Sequence, residues 1–303
     1  MPVEPAVIVA MSKPWGRADL RPWSDMHDEP EVTGELWFTR PHVAGTKSGL
    51  LFKLIFADQP LSIQVHPDDA FAQTRGLPNG KAEAWYILSA AAGARVAVGL
   101  KQRVGPGQLR AAIADGSIES LVAWRSVVAG DVIMIPAGTI HAIGAGVVLA
   151  EIQQNSDTTF RLYDFGRGRE LHVDDAIAVA DAGPIDSDAT HRSIDGVRDI
   201  LVENPNFILE RIDLAPHSRW SISATRETLL FALAGTVAVG LVRIKKGQAA
   251  FVSAGDCACI ETGNDGLAAL LSYAGPDPVA GLLTQVFEVP DALLPALSGA
   301  GYA

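Results

Sequence analysis

The stretch Gly130-Asp-Val-Ile-Met-Ile-Pro-Ala-Gly-Thr-Ile-His-Ala-Ile143 aligns without a gap to Gly247-Gln-Ala-Ala-Phe-Val-Ser-Ala-Gly-Asp-Cys-Ala-Cys-Ile260. Each copy is a short apolar run between glycines, which reads as strand, tight turn and strand. Upstream, Glu83 followed by Gly93-Ala-Arg-Val-Ala-Val-Gly-Leu100 echoes Glu227 followed by Gly235-Thr-Val-Ala-Val-Gly-Leu241. The chain therefore carries two copies of one β unit. Short runs of Val, Ile, Leu and Thr recur with Gly or Pro between them, as in Val132–Ile135, Gly146–Ile152, Leu229–Leu233 and Gln248–Ser253. Many short strands at such spacing form a barrel or jelly roll. Helical pieces interrupt the pattern in three places. Asp68 and Asp69 can cap a turn running to Gly76; Pro106–Asp115 and Ser117–Trp124 read as a helical pair split at Gly116; and Val173–Asp181 is apolar at helical spacing.

With 303 residues, 48% of them hydrophobic and 19% charged, the chain has enough apolar surface for a folded protein of about two domains. Their predicted bounds are 1–185 and 186–303, with the acidic, turn-prone stretch Gly183–Asp188 as linker. Lys and Arg number 24 against 35 Asp and Glu, a net charge of −11, which repels nucleic acid and anionic lipid. An anionic substrate must then be held by a few cations placed against the global field. No apolar run approaches the roughly 20 residues that span a bilayer, and Met1–Met11 carries Glu4 and no basic region of a signal peptide. The only cysteines, Cys257 and Cys259, share one face of a strand-like run in which a bridge is strained, so they are expected as buried strand packing. A reduced, cytoplasmic setting follows, with neither nucleic acid nor membrane as partner; oligomeric state is left open.

The two copies differ where chemistry can sit. His141 aligns with Ala258, and the segment before Glu227 offers Ser221 and Ser223 but no histidine, so the first half is expected to be chemical and the second metal-free. Alternation in Ser62-Ile-Gln-Val-His66 puts Ser62, Gln64 and His66 on one face. The same parity groups Lys81, Glu83 and Trp85, of which Trp85, like Tyr86, reads first as barrel core. Gly130, Pro136, Gly138 and His141 have a spacing that resembles the second motif of the cupin superfamily, without its usual trailing Asn. Gln64, His66, Glu83 and His141 would then converge inside one barrel. Two neutral imidazoles, a carboxylate and an amide oxygen suit one borderline divalent ion such as Zn²⁺ and leave room for water or substrate.

Several blocks carry a wider likeness: Lys13-Pro-Trp-Gly16, Gly34-Glu-Leu-Trp37, Pro60–Asp69, Gly80–Leu88, Pro136–Ile143 and Ala150–Asp164. Over roughly Lys13–Ala176 the chain resembles the class I mannose-6-phosphate isomerases in their short bacterial form. The resemblance implies an all-β double cupin, two jelly-roll barrels with short helices inserted in the first. It further implies zinc on Gln64, His66, Glu83 and His141, Arg161 as catalytic arginine, Ser62 and Arg167 as phosphate contacts, and a small sugar phosphate as partner. The residues themselves add Glu151, sharing parity with Gln153, as the base for moving a proton between C1 and C2, and two cations flanking the metal strands, Lys81 as a catalytic residue and Lys53 as a phosphate contact. Two rivals are an Fe(II) oxygenase, against which Gln64 and the cations speak, and a sugar-phosphate-binding cupin in which no proton moves. His27, His42, His172, His191 and His217 are expected in surface or capping roles.

Overall fold

The computed structural model describes residues 2–26, 32–41, 48–185 and 191–287, and its strands pair antiparallel throughout. Two sheets build the first half. One has six strands in the order Val7–Arg17, Thr33–Thr39, Leu50–Ala57, Val147–Gln154, Glu83–Ala90, Val132–Ile135; the other has five, in the order Phe160–Tyr163, Ile63–Val65, His141–Ile143, Arg95–Leu100, Val122–Ser126. Alternation divides the central strand Val147–Gln154 between two cores. Val147 and Leu149 pack inside the barrel with Ile55, Ile87 and Ile133. Val148, Ala150 and Ile152 face outward onto a second cluster shared with Phe207, Phe231 and Phe251 of the other half. A strand apolar on both faces is thus explained: one face lines the barrel and the other glues the halves together.

The second half closes into its own barrel through two long bent strands, Thr228–Val239 and Asp256–Ala274. The latter pairs with Arg219–Ala224 through its first part and with Phe207–Leu214 through its last. Its interior holds Ile208, Ile212, Trp220, Leu230 and Leu271. The repeat read from the sequence holds at the level of backbone. Strands Val132–Ile135 and Ala249–Val252 occupy matching positions. The flanking glycines match too, with Gly130, Gly247, Gly138 and Gly255 all at positive φ (95°, 82°, 84° and 82°). A Cβ at Gly247 would stand 2.0 Å from the carbonyl oxygen of Trp23, so that position tolerates no side chain. The architecture is the all-β double cupin. Strand Val3–Pro5, however, joins Ala249–Val252 in the second sheet. We propose to keep 1–185 and 186–303 as the two units, with Val3–Pro5 as a strand the first lends to the second.

Helices Asp69–Thr74 and Pro106–Asp115 form as read. The carboxylate of Asp68 caps Phe71 N, and Gly116 ends the second helix at φ 80°. The predicted helix Ser117–Trp124 is shorter, Ile118–Leu121, because Val122–Ser126 is taken up as an edge strand against Arg95–Leu100. Val173–Asp181 stops at Val179, since Asp181 turns its backbone N–H to Gly138 O. Cys257 and Cys259 are exposed, not buried: the first part of the long strand Asp256–Ala274 turns that face to solvent. Of the predicted linker, 186–188 lie outside the described residues, as do His27 and His42, while Gly183 O accepts from Leu100 N and belongs to the first barrel. No helix among the described residues is long and apolar enough to cross a membrane.

Phe231, fully buried, meets Phe52 at 4.8 Å, Phe38 at 5.5 Å and Trp23 at 6.3 Å between ring centroids, and so joins the halves. Phe231→Ala is expected to cost about 3–5 kcal/mol of unfolding free energy, read by urea titration; a loss under about 1 kcal/mol would remove this cluster as the joint.

Candidate metal centre

Strand Ile63–Val65 is the hinge of the site because it pairs on both sides. Gln64 lies opposite His141 on one neighbour and opposite Arg161 on the other. Ile63 and Val65, with no exposure, point away from the site into a packed cluster with Leu109, Ile113 and Leu162, which leaves Ser62, Gln64 and His66 on the chemical face. From the facing sheet, Glu83 is fully buried at the start of its strand.

Here the sequence-predicted ligands meet. One ligand atom each of His66, Glu83 and His141 lies within 4.8 Å of the others. The Nε2 atoms of His66 and His141 each stand 3.4 Å from a separate oxygen of Glu83, and Gln64 Nε2 is 3.3 Å from His141 Nε2. Both imidazoles are oriented from behind. Nδ1 of His66 faces Thr158 O at 3.0 Å and that of His141 faces Thr139 O at 2.9 Å. A carbonyl only accepts, so each Nδ1 carries the proton and each Nε2 turns a lone pair inward. The donor set fits a divalent ion, because four ligands at about 2.0–2.1 Å in a tetrahedron are themselves about 3.4 Å apart. The amide of Gln64 presents oxygen after a half-turn about its last torsion.

Electrostatics point the same way. Burial, with the Lys81 ammonium, brings His66 down to about 3, and burial likewise lowers His141, so both are neutral ligands. For Glu83 burial works upward, but the Lys81 ammonium outweighs it and holds the carboxyl well below its usual range. Lys81 Nζ lies 2.8 Å from both His66 Nε2 and Glu83 Oε2.

Beside the cluster runs a row of alternating charge, buried up to its half-buried end at Lys13. Glu151 faces Lys53 at 3.5 Å, Lys53 faces Glu35 at 3.8 Å, and Glu35 faces Lys13 at 3.7 Å. Lys53 also lies 4.7 Å from the Trp37 ring centroid, and Trp37 Nε1 donates to Glu35. Burial and then Glu83 push Glu151 up, against the pull of Lys81 and Lys53. Trp85 is core, as read, but its indole N–H also lies 3.2 Å from Glu83 Oε1 and 3.1 Å from Glu151 Oε2, linking the two carboxyls. Gln153, opposite Glu83 in register, donates its amide to Gln154 O and Ser156 O, while its Oε1 is buried without a partner.

The remaining predicted residues divide. Ser62 Oγ donates to Gln64 Oε1 at 3.2 Å, Arg167 Nη1 donates to Pro60 O at 2.7 Å, and Arg161 lies opposite Gln64 with its Nε buried and unpartnered. These three gather around the first residues of the hinge strand. Lys53 stands in the charge row, beside Glu35 and Glu151. Sequence reading missed Glu35, Trp37, Lys13 and Asp164 as partners of site residues, although all lie inside the quoted blocks. Alternation gives a residue's face, but not which strand comes to lie beside it.

Fold and site together define a double-cupin protein with a buried His–Glu–His cluster in its first barrel. The chain is similar to several known proteins. A mannose-6-phosphate isomerase of Streptococcus mutans is 34% identical over 251 residues, covering 70% of this chain and 77% of that protein. Mannose-6-phosphate isomerase ManA of Bacillus subtilis is 39% identical over 162 residues, 50% of this chain and 51% of its own length. The crystal structure of a Bacillus subtilis mannose 6-phosphate isomerase superposes with a TM-score of 0.78 at 25% identity, over 90% of this chain and all of that one. No protein-family model matches. The chain belongs to the mannose-6-phosphate isomerase family.

In metal-free protein the lowered imidazoles carry a pH cost. Below the ordinary histidine value of about 6.5 the unfolded chain takes up protons that the fold refuses, so stability present above that pH is lost as pH falls towards about 3. The depressed Glu83 adds to the loss below its own ordinary value. Urea midpoints of the chelated protein are expected to fall from pH 7 to pH 5; a flat profile would contradict the buried neutral pair.

Proposed function

We propose that the protein interconverts mannose 6-phosphate and fructose 6-phosphate through a cis-enediol, with one Zn²⁺ held by Gln64, His66, Glu83 and His141. The observation that carries this reading is the buried carboxyl of Glu151, linked through one indole N–H to the carboxylate of the ligand cluster. The reaction takes a proton from C2 of the aldose and delivers it to C1, so it needs a carboxyl that can accept and return a proton without exchanging freely with solvent. Glu151, 3% exposed and raised in proton affinity, meets that need.

Bound zinc supplies Lewis acidity towards the sugar's oxygens. Lys81 offers an ammonium donor at the same place, and Lys53 keeps Glu151 from being expelled from its buried site. Arg161 is assigned to negative charge on the substrate, with Ser62 and Arg167 towards the phosphate; local cations of this kind offset a net charge of −11. Two free, exposed thiols suit a reducing, cytoplasmic setting.

A coupled assay on mannose 6-phosphate is expected to give turnover that chelator abolishes and zinc restores; binding of the sugar phosphate without product would favour a non-catalytic cupin. Glu151→Gln is expected to retain zinc and slow turnover by about 10²-fold or more, and unchanged turnover would assign the proton transfer to another group.

A further inference from the structure

The segment Arg161-Leu-Tyr-Asp-Phe-Gly-Arg-Gly-Arg-Glu-Leu-His172 leaves the hinge sheet and returns to it as a closed loop. Arg161 N donates to His172 Nδ1 at 3.1 Å, His172 N donates to Arg161 O at 2.8 Å, and Arg161 Nη1 donates to Glu170 O at 2.7 Å. Inside it, Phe165, Gly166 and Gly168 take φ of 51°, 79° and 73°, which winds the chain tightly enough for Arg167 and Arg169 to turn back on Asp164. Asp164 is 5% exposed. It accepts from Nε and Nη2 of Arg167 at 3.1 and 2.9 Å, from Arg169 Nε at 2.8 Å, and from Arg169 Nη2. Each guanidinium is also fixed on its far side, Arg167 by Pro60 O and Arg169 by the Trp15 ring 5.1 Å away.

Positive charge is left over. Two guanidiniums share one buried carboxylate, a third, Arg161, lies within its electrostatic reach, and Glu170 is exposed. Arg161 Nε is buried without a partner, while Arg167 and Arg169 both spend their Nε and Nη2 donors on the same Asp164 carboxylate. A buried cationic N–H with no acceptor is costly unless an anion supplies one. Because Arg161 lies opposite Gln64 and Arg167 bonds the residue two before Ser62, the loop stands beside the metal cluster.

We propose that Asp164 is a positioning residue, and Arg169 a specificity-determining arm, of a three-arginine cradle that receives the phosphate dianion of the substrate. Asp164 does not touch the substrate. It screens Arg167 from Arg169 in the free protein and fixes both forks, so the cradle is assembled before the anion arrives. The proposal rests on the isomerase reading and adds to it how the phosphorylated sugar is told from the free one.

Steady-state kinetics of zinc-loaded Asp164→Asn and Arg169→Gln on mannose 6-phosphate, with inorganic phosphate as competing anion, test this. KM and the phosphate inhibition constant are expected to rise together by about tenfold or more, with kcat moving much less and zinc content unchanged. Asp164→Glu is expected to recover part of the loss. Arg169→Gln, at a half-exposed side chain, keeps the test alive if Asp164→Asn fails to fold. Unchanged KM and inhibition constant in Arg169→Gln would overturn the cradle, as would a fall in kcat alone. Wild-type protein that binds phosphate but does not convert mannose 6-phosphate would instead overturn the isomerase reading.

Discussion

A carboxylate with no solvent exposure, at the meeting point of two sheets, is the constraint around which the first barrel is organised. Buried charge persists only when it is paired and fully hydrogen-bonded. Glu83 is answered by Lys81 and the Trp85 indole from its own stretch of chain, while two neutral imidazoles from other strands face its oxygens, so the strands that deliver those groups must keep their register. The neutral imidazoles follow from the same burial, since their Nδ1 protons are spent on the carbonyls of Thr158 and Thr139.

The consequences spread along Val147–Gln154, which is packed on both faces. One face carries Glu151 and Gln153 beside the cluster. The other presses Val148, Ala150 and Ile152 onto the phenylalanines of the second half. The second barrel thus contributes to the site indirectly, by holding the strand that bears Glu151 against a rigid backing. The Arg161–His172 loop gathers three arginines in a chain of net charge −11.

Much of this was legible in the sequence. The internal repeat located matching strands and even matching left-handed glycines, because turn geometry is local and glycine is the residue that permits it. The gathering of Gln64, His66, Glu83 and His141 was legible because period-two alternation and a glycine-proline spacing are also local. What escaped were pairings across strands: Lys53 against Glu35, Trp85 between two carboxyls, Asp164 beneath two arginines. Sheet order decides the first two and three positive-φ residues decide the third, and none of these is written in alternation. The helix over Ser117–Trp124 was shortened for a similar reason, an edge strand winning residues from Val122 onward over local propensity. The exposed cysteines failed because only the first part of a long strand turns one face to solvent.

The central claim is that Gln64, His66, Glu83 and His141 hold one divalent ion. Anomalous diffraction at the zinc edge from crystals of the zinc-loaded protein tests it most directly. The account predicts one strong peak in the first barrel, about 2.0–2.2 Å from His66 Nε2, His141 Nε2 and a Glu83 oxygen. Zinc-replete crystals with no peak among these side chains, or with the ion bound elsewhere, would contradict it.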